Sequence, residues 1–151
     1  MEIRPARASD LPAILALLRE AELPFEDAAQ HVGGFLIAER DGELVATGGL
    51  ELYGEAALIR SVALAAPLRR RGLGAALCDT LLGEARRRGV RDAYLLTTTA
   101  AGFFAGQGFQ PLARELAPPA IRSTREFREL CPASAVLMHR SLTPVTTSEN
   151  G

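Results

Sequence analysis

The residues with the clearest chemical content are seven in a row: Arg69, Arg70, Arg71, Gly72, Leu73, Gly74 and Ala75. They stand between an apolar run, Ala57 to Leu64, and a long amphipathic segment with Leu73, Leu77, Leu81 and Leu82 at helical spacing. Glycines at the start of a helix leave backbone N–H groups uncovered, so that an oxyanion can approach them, and the helix dipole adds favourable potential there. Neighbouring guanidinium groups bind phosphate oxygens in bidentate fashion. The combination describes a pyrophosphate site. The plainer alternative is a solvated arginine loop whose glycines only close a turn. Two other nucleotide motifs drop out, because the stretch has neither the Gly-Lys-Ser/Thr of a P-loop nor a Gly-x-Gly-x-x-Gly after a first strand.

The elements that must position this turn follow from the patterning. Glu2 to Pro5 reads as a short strand, followed by a helix capped at Ser9 or Asp10 with Leu11, Ile14, Leu15 and Leu18 on one face. After Pro24, Phe25 to His31 reads as a short helix ending at Gly33 and Gly34. Phe35 to Arg40 and Leu44 to Leu52 flank Asp41-Gly42, a strong signal for a two-residue hairpin. A turn at Tyr53, Gly54 and Glu55 leads into the strand Ala57 to Leu64, completing a three-strand meander. The helix from Gly72 to Arg88 ends at Gly89 with arginines in its last turn, where they complement the dipole. Ala93 to Thr97 is a strand, so strand, helix and strand imply a parallel crossover. A short helix from Gly102 to Gly106 and an edge at Phe109 to Leu112 follow. Ser123 to Glu126 has capping-box spacing and opens a helix to Leu130, before a final strand, Ala135 to Met138.

Composition bounds the function. At 151 residues, with 48% hydrophobic and 23% charged residues, the chain reads as one globular domain. Its formal charge of -1 lacks the basic excess that drives binding to nucleic acid or anionic membrane. All 17 basic residues are arginines. Cys78 and Cys131 form no metal-ligand pair or disulfide framework, His31 and His139 lack metal spacing, and no metal is expected. With no signal-like start and no apolar run near the roughly 20 residues that cross a bilayer, a cytoplasmic protein is expected.

The stretch Val62 to Gly74 resembles the acetyl-CoA motif of GNAT acetyltransferases, in which a strand precedes Arg/Gln-x-x-Gly-x-Gly/Ala and a long helix. Arg69, Gly72 and Gly74 match its fixed positions. Ile3 to Ala6 before an Asp-capped helix, and Gly102 to Phe109, are similar too, so the resemblance spans Glu2 to Leu142. Tyr94 to Phe104 resembles both the arsenic-resistance-operon N-acetyltransferases and the N-acetylglutamate synthase-type amino-acid acetyltransferases. Leu58 to Val62, Ala120 to Phe127 and Leu130 to Ala135 resemble the arsenic-operon subgroup more closely.

The resemblance implies an α/β (α+β) fold: a mixed, mostly antiparallel sheet flanked by helices, occupying residues 1–142, with residues 143–151 a flexible tail. Its central strands splay between Val62 to Leu64 and Tyr94 to Thr97. Acetyl-CoA would lie along Val62, Ala63 and Leu64, with its pyrophosphate at Arg69 to Ala75 and Phe104 nearby. A small amine would attack the thioester directly. Glu51 is the candidate base, against the alternative of an outward strand residue. Phe104 stands where many members carry a tyrosine that protonates the thiolate, and Tyr94 is a candidate substitute. Arg60 and Ser61 alternate along their strand, so one should face the cleft; Arg60 there, with Thr97, Arg122 and Thr124, would suit a substrate carboxylate. Cys131 alone is a poor arsenic site. The final strand could pair across a homodimer. Two other functions remain open: acetylation of a protein N-terminus or lysine, and acetyl-CoA sensing without catalysis.

Overall fold

A computed structural model describes residues 2–68 and 72–142 of the chain. Seven strands form one sheet: β1 (Glu2–Pro5), β2 (Phe35–Arg40), β3 (Glu43–Tyr53), β4 (Ala56–Leu64), β5 (Asp92–Thr97), β6 (Gln110–Pro111) and β7 (Val136–Ser141). Their order is β1-β2-β3-β4-β5-β7-β6, antiparallel throughout except for β4 beside β5. The helices are α1 (Leu11–Glu20), α2 (Ala28–His31), α3 (Leu73–Arg87), α4 (Ala101–Gly106) and α5 (Pro119–Arg122). No described helix is long and apolar enough to cross a membrane.

Helices cover both faces of the sheet. α1 buries Ile14, Leu17 and Leu18 against Phe35, Ile37 and Ala63. α3 buries Leu77, Cys78, Leu81 and Leu82 with Ala46, Leu50, Ile59 and Leu95. The hairpin between β2 and β3 turns at Asp41 and Gly42, which both have positive φ, as a type I′ turn requires. β7 lies between β5 and β6 and is therefore no edge strand. The expected tail from Thr143 and the arginines Arg69, Arg70 and Arg71 lie outside the described residues.

Two departures from regular geometry shape the centre. The parallel ladder between β4 and β5 holds for three pairs, Ala56 with Asp92, Ala57 with Ala93 and Leu58 with Tyr94, and then ends. Beyond it β4 runs on to Leu64 and β5 to Thr97, so the strands splay as the resemblance implied. On its other side β4 carries a bulge: Thr47 pairs with Ala63 but Gly49 with Arg60, and Ser61 adopts φ +58°. Such a bulge bends the strand and re-aims side chains.

The sheet also packs tightly against its own aromatic residue. A Cβ on Gly49 would stand 2.4 Å from the ring of the buried Phe35. Gly49→Ala should therefore cost about 1–3 kcal/mol through overpacking, read as a lower Tm in thermal unfolding. An unchanged Tm would show that Phe35 yields freely.

Candidate active site

A cleft of about 1120 Å³ opens where β4 and β5 part. Ser61, Val62, Ala63 and Leu64 form one wall, Leu95, Leu96 and Thr97 another, and Gly72, Gly74 and Ala75 stand at its end. Gly72, at φ +82°, caps α3 without any side-chain hydrogen bond. The Ala76 N–H donates to the Gly72 carbonyl at 3.1 Å, and N–H groups of a first helical turn have no partner within the helix. Phe103 packs beside Gly74, where a Cβ would come within 3.2 Å of its ring. This is a bare helix start at the mouth of two parted strands, and it suits a long pantetheine chain ending in a pyrophosphate.

Behind the cleft is a buried charge cluster. The Arg60 guanidinium donates to Asp27 through Nη1 (2.7 Å) and Nη2 (2.5 Å), to Glu51 through Nη1 (2.7 Å), and to Ser61 Oγ through Nε (3.0 Å). Tyr53 donates its hydroxyl to the other Glu51 oxygen at 2.5 Å. His31 Nε2 lies 3.5 Å from Asp27 and 3.6 Å from Glu51. Asp27, His31 and Glu51 have ligand atoms close enough to hold a metal, but Arg60 Nη1 already stands 2.7 Å from both carboxylates. Burial opposes charge on Asp27, yet the Arg60 hydrogen bonds hold its carboxyl below the usual range. Burial also opposes the Arg60 charge, and the surrounding carboxylates overcome it and push its pKa up. Burial, then Glu51, raise the Tyr53 hydroxyl.

Several expected roles change. Arg60 and Ser61 are both buried and both line the cleft, because the bulge at Ser61 breaks the alternation that would have separated them. Arg60 spends its donors on the chain's own carboxylates and not on an open substrate pocket. Glu51 is 4% exposed and lines a separate, shallower hollow beside His31 and Tyr53. It is a partner of Arg60, away from the cleft wall. Tyr94 does not line the cleft: its ring lies 5.0 Å from that of His139, within the cluster of Leu58, Ile121 and Leu137. Burial raises its hydroxyl pKa. Arg122 is exposed and away from the cleft, and Thr124 is buried in its own turn, donating to the Ile121 carbonyl (2.7 Å) and accepting from the Phe127 N–H (3.2 Å). Phe104 lines the cleft and supplies no hydroxyl, while Thr97 lines it and accepts from the Ala100 N–H at 3.0 Å.

What the segment after α5 does contribute is Glu126, a residue with no assigned role in the sequence reading beyond a capping box. It begins a π-helical turn, Glu126–Leu130, is 4% exposed, and lines the cleft with Leu130, Cys131 and Pro132. Burial, then repulsion from Glu51 and Asp27, outweigh the attraction of Arg60 and push its carboxyl up to about 7. The neighbouring Cys131 thiol is pushed up to about 12, chiefly by burial.

These charges set two expectations for stability. Removing Arg60 leaves Asp27 and Glu51 buried without a counter-charge, so Arg60→Ala should cost about 3–5 kcal/mol in denaturant unfolding. Glu126 works in the opposite sense to Asp27. Its folded pKa is raised, so its stability contribution is full below the ordinary carboxylate value of about 4.3 and is lost as pH rises through about 7. Wild-type Tm should therefore fall relative to that of Glu126→Gln between pH 5 and pH 8. Parallel Tm curves would contradict the burial of an ionised Glu126.

Comparison with known proteins agrees with this geometry. The model of the acetyltransferase (GNAT) family matches residues 4–109. An amino-acid acetyltransferase from Neisseria meningitidis serogroup A is 28% identical over 149 residues, covering 93% of this chain and 34% of the relative. One from Edwardsiella ictaluri is 30% identical over 129 residues, covering 78% and 29%. The chain thus spans about a third of the length of these curated relatives. The N-acetylglutamate synthase of Neisseria gonorrhoeae, solved with coenzyme A and N-acetyl-glutamate, superposes with a TM-score of 0.82 at 25% identity, over 95% of this chain and 35% of that one. Rv2747 from Mycobacterium tuberculosis, solved with CoA, superposes with a TM-score of 0.80 at 26% identity, over 93% of this chain and 99% of that one. With the splayed strands, the bare helix start and a family match over more than half its length, the chain belongs to the acetyltransferase (GNAT) family.

Proposed function

We propose that the chain transfers acetyl from acetyl-CoA to the amine of a small, amino-acid-like acceptor. The observation that carries this reading is the cleft itself, enclosed by β4, β5 and the segment after α5, and ending at the bare N-terminus of α3. Support for the acceptor class comes from the relatives named amino-acid acetyltransferase and from the gonococcal synthase structures, which hold N-acetyl-glutamate in one case and L-arginine in another. The likeness of Ala120 to Phe127 and Leu130 to Ala135 to the arsenic-operon subgroup favours toxic amino-acid analogues among the acceptors.

Acetyl-CoA supplies the activated thioester. The protein's part is to hold and orient it: the pyrophosphate at the first-turn N–H groups of Leu73, Gly74 and Ala75 and at the arginines before them, and pantetheine along the edge of β4. A backbone N–H aimed at a thioester oxygen lowers such a barrier by about 3 kcal/mol. No tyrosine hydroxyl reaches the cleft among the described residues, and a thiol's ordinary pKa of about 8.5 lets the thiolate leave without a dedicated acid. The domain reading of residues 1–142 is part of the same proposal.

The test is thiol release from acetyl-CoA with L-glutamate, L-arginine, other L-amino acids, phosphinothricin and arsenic-containing analogues. Rapid release with one of them identifies the acceptor. Acetyl-CoA binding with no release from any would point instead to a protein substrate or a sensor. In the same assay, Gly74→Val crowds Phe103 and covers the helix start. The KM for acetyl-CoA should rise about tenfold or more, equivalent to about 1.4 kcal/mol of lost binding, with a smaller change in kcat.

A further inference from the structure

We infer that Glu126 is the catalytic base, the group that meets the acceptor's ammonium in the cleft and takes its proton. The assignment rests on the acetyl-transfer reading above.

Geometry carries it. Glu126 is 4% exposed and lines the cleft alongside Ser61, Val62 and Thr97. Among the described residues, no hydrogen bond or ion pair reaches its carboxyl. Every other carboxylate of the cluster is held: Asp27 by two Arg60 nitrogens, and Glu51 by Arg60 and Tyr53. A buried polar side chain left without a partner is costly and calls for an explanation. A cationic ligand in the cleft would supply one.

The local backbone holds the residue in place. Glu126 opens a π-turn in which the Cys131 N–H donates to the Glu126 carbonyl at 2.9 Å, and single π-turns concentrate at functional sites. Thr124 ties the turn to α5 through its hydroxyl and to the Phe127 N–H. The charged groups that act on the carboxyl come from three other elements: Arg60 on β4, Glu51 on β3 and Asp27 before α2, with the Cys131 thiol on its own segment. Burial first, and then repulsion from Glu51 and Asp27, outweigh the attraction of Arg60 and keep the carboxyl basic enough to accept a proton near neutral pH, which an ordinary carboxylate does poorly.

The step balances. The acceptor's R–NH3+ passes one proton to the Glu126 carboxylate, leaving R–NH2. The nitrogen lone pair attacks the thioester carbon, the C–N bond forms and the C–S bond breaks, and the sulfur leaves as thiolate. The second nitrogen proton goes to that thiolate, and Glu126 releases its proton to water. The products are the N-acetyl compound, free thiol and one proton.

The experiment compares thiol release by wild type, Glu126→Gln and Glu126→Asp from pH 5.5 to 9.5, using the fastest acceptor of the panel above. Circular dichroism and acetyl-CoA binding confirm that each variant is folded. Glu126→Gln should lose about 100-fold in kcat at pH 7, the low end of what a positioned base supplies, with the acetyl-CoA KM within about twofold. The acidic limb near pH 7 should vanish, and the deficit should narrow at pH 9.5, where the free amine needs no base. Glu126→Asp should restore the limb at a reduced rate. An unchanged limb and a rate within about threefold of wild type in Glu126→Gln would overturn the assignment. So would a deficit that is the same at every pH, the mark of a structural role. If wild type releases no thiol with any acceptor, the small-acceptor reading fails and the Glu126 assignment, which rests on it, falls with it.

Discussion

One buried guanidinium organises the functional half of this molecule. Arg60 is 2% exposed and ties β4 to β3 through Glu51 and to the segment before α2 through Asp27. An ion pair taken out of water recovers its desolvation cost only when its geometry and remaining hydrogen bonds are good, and here four donor contacts, one of them to Ser61, meet that demand. The Phe35 ring, 6.0 Å from the guanidinium carbon, closes the site on another side. β2, β3, β4 and the entry to α2 therefore converge on a single charge.

The bulge and the splay follow from the same region of β4. A regular strand would send Arg60 and Ser61 to opposite faces. Ser61 at φ +58° bends the strand, so both side chains meet and both reach the cleft. Ending the ladder at Leu58 then frees the rest of β4 from β5. Backbone strain at a non-glycine residue persists only where the surroundings over-determine it, and the Arg60 network supplies that determination.

The fold was legible in the sequence wherever local pattern decided it. The hairpin at Asp41-Gly42, the amphipathic α3, the parallel crossover and the glycine turn at its start all carried short-range signals. α5 was missed, since Pro119 to Arg122 is a single turn with no periodicity to detect. The site was less legible. Glu51 is expected as a base and Arg60 as a contact for a substrate carboxylate, whereas the two bind each other, because single-strand alternation cannot foresee a bulge or a carboxylate such as Asp27, 33 residues away. Tyr94 faced the wrong layer for the same reason: the register with β7 places it against His139. The spacing from Ser123 suggests a capping box with Glu126, whereas the Thr124 hydroxyl accepts from the Phe127 N–H and Glu126 lines the cleft.

Burial, and after it the local balance of charge, sets Glu126 apart from the other two carboxyl groups of the cluster. Arg60 is one positive charge among three buried carboxyl groups, Asp27, Glu51 and Glu126. Two of them touch it directly, while the third is buried without a partner, attracted to Arg60 from a distance and repelled by both neighbours. Low-dielectric surroundings magnify that imbalance. The network that locks the strands together thus leaves one proton-binding position, and the fold opens that position onto the cleft.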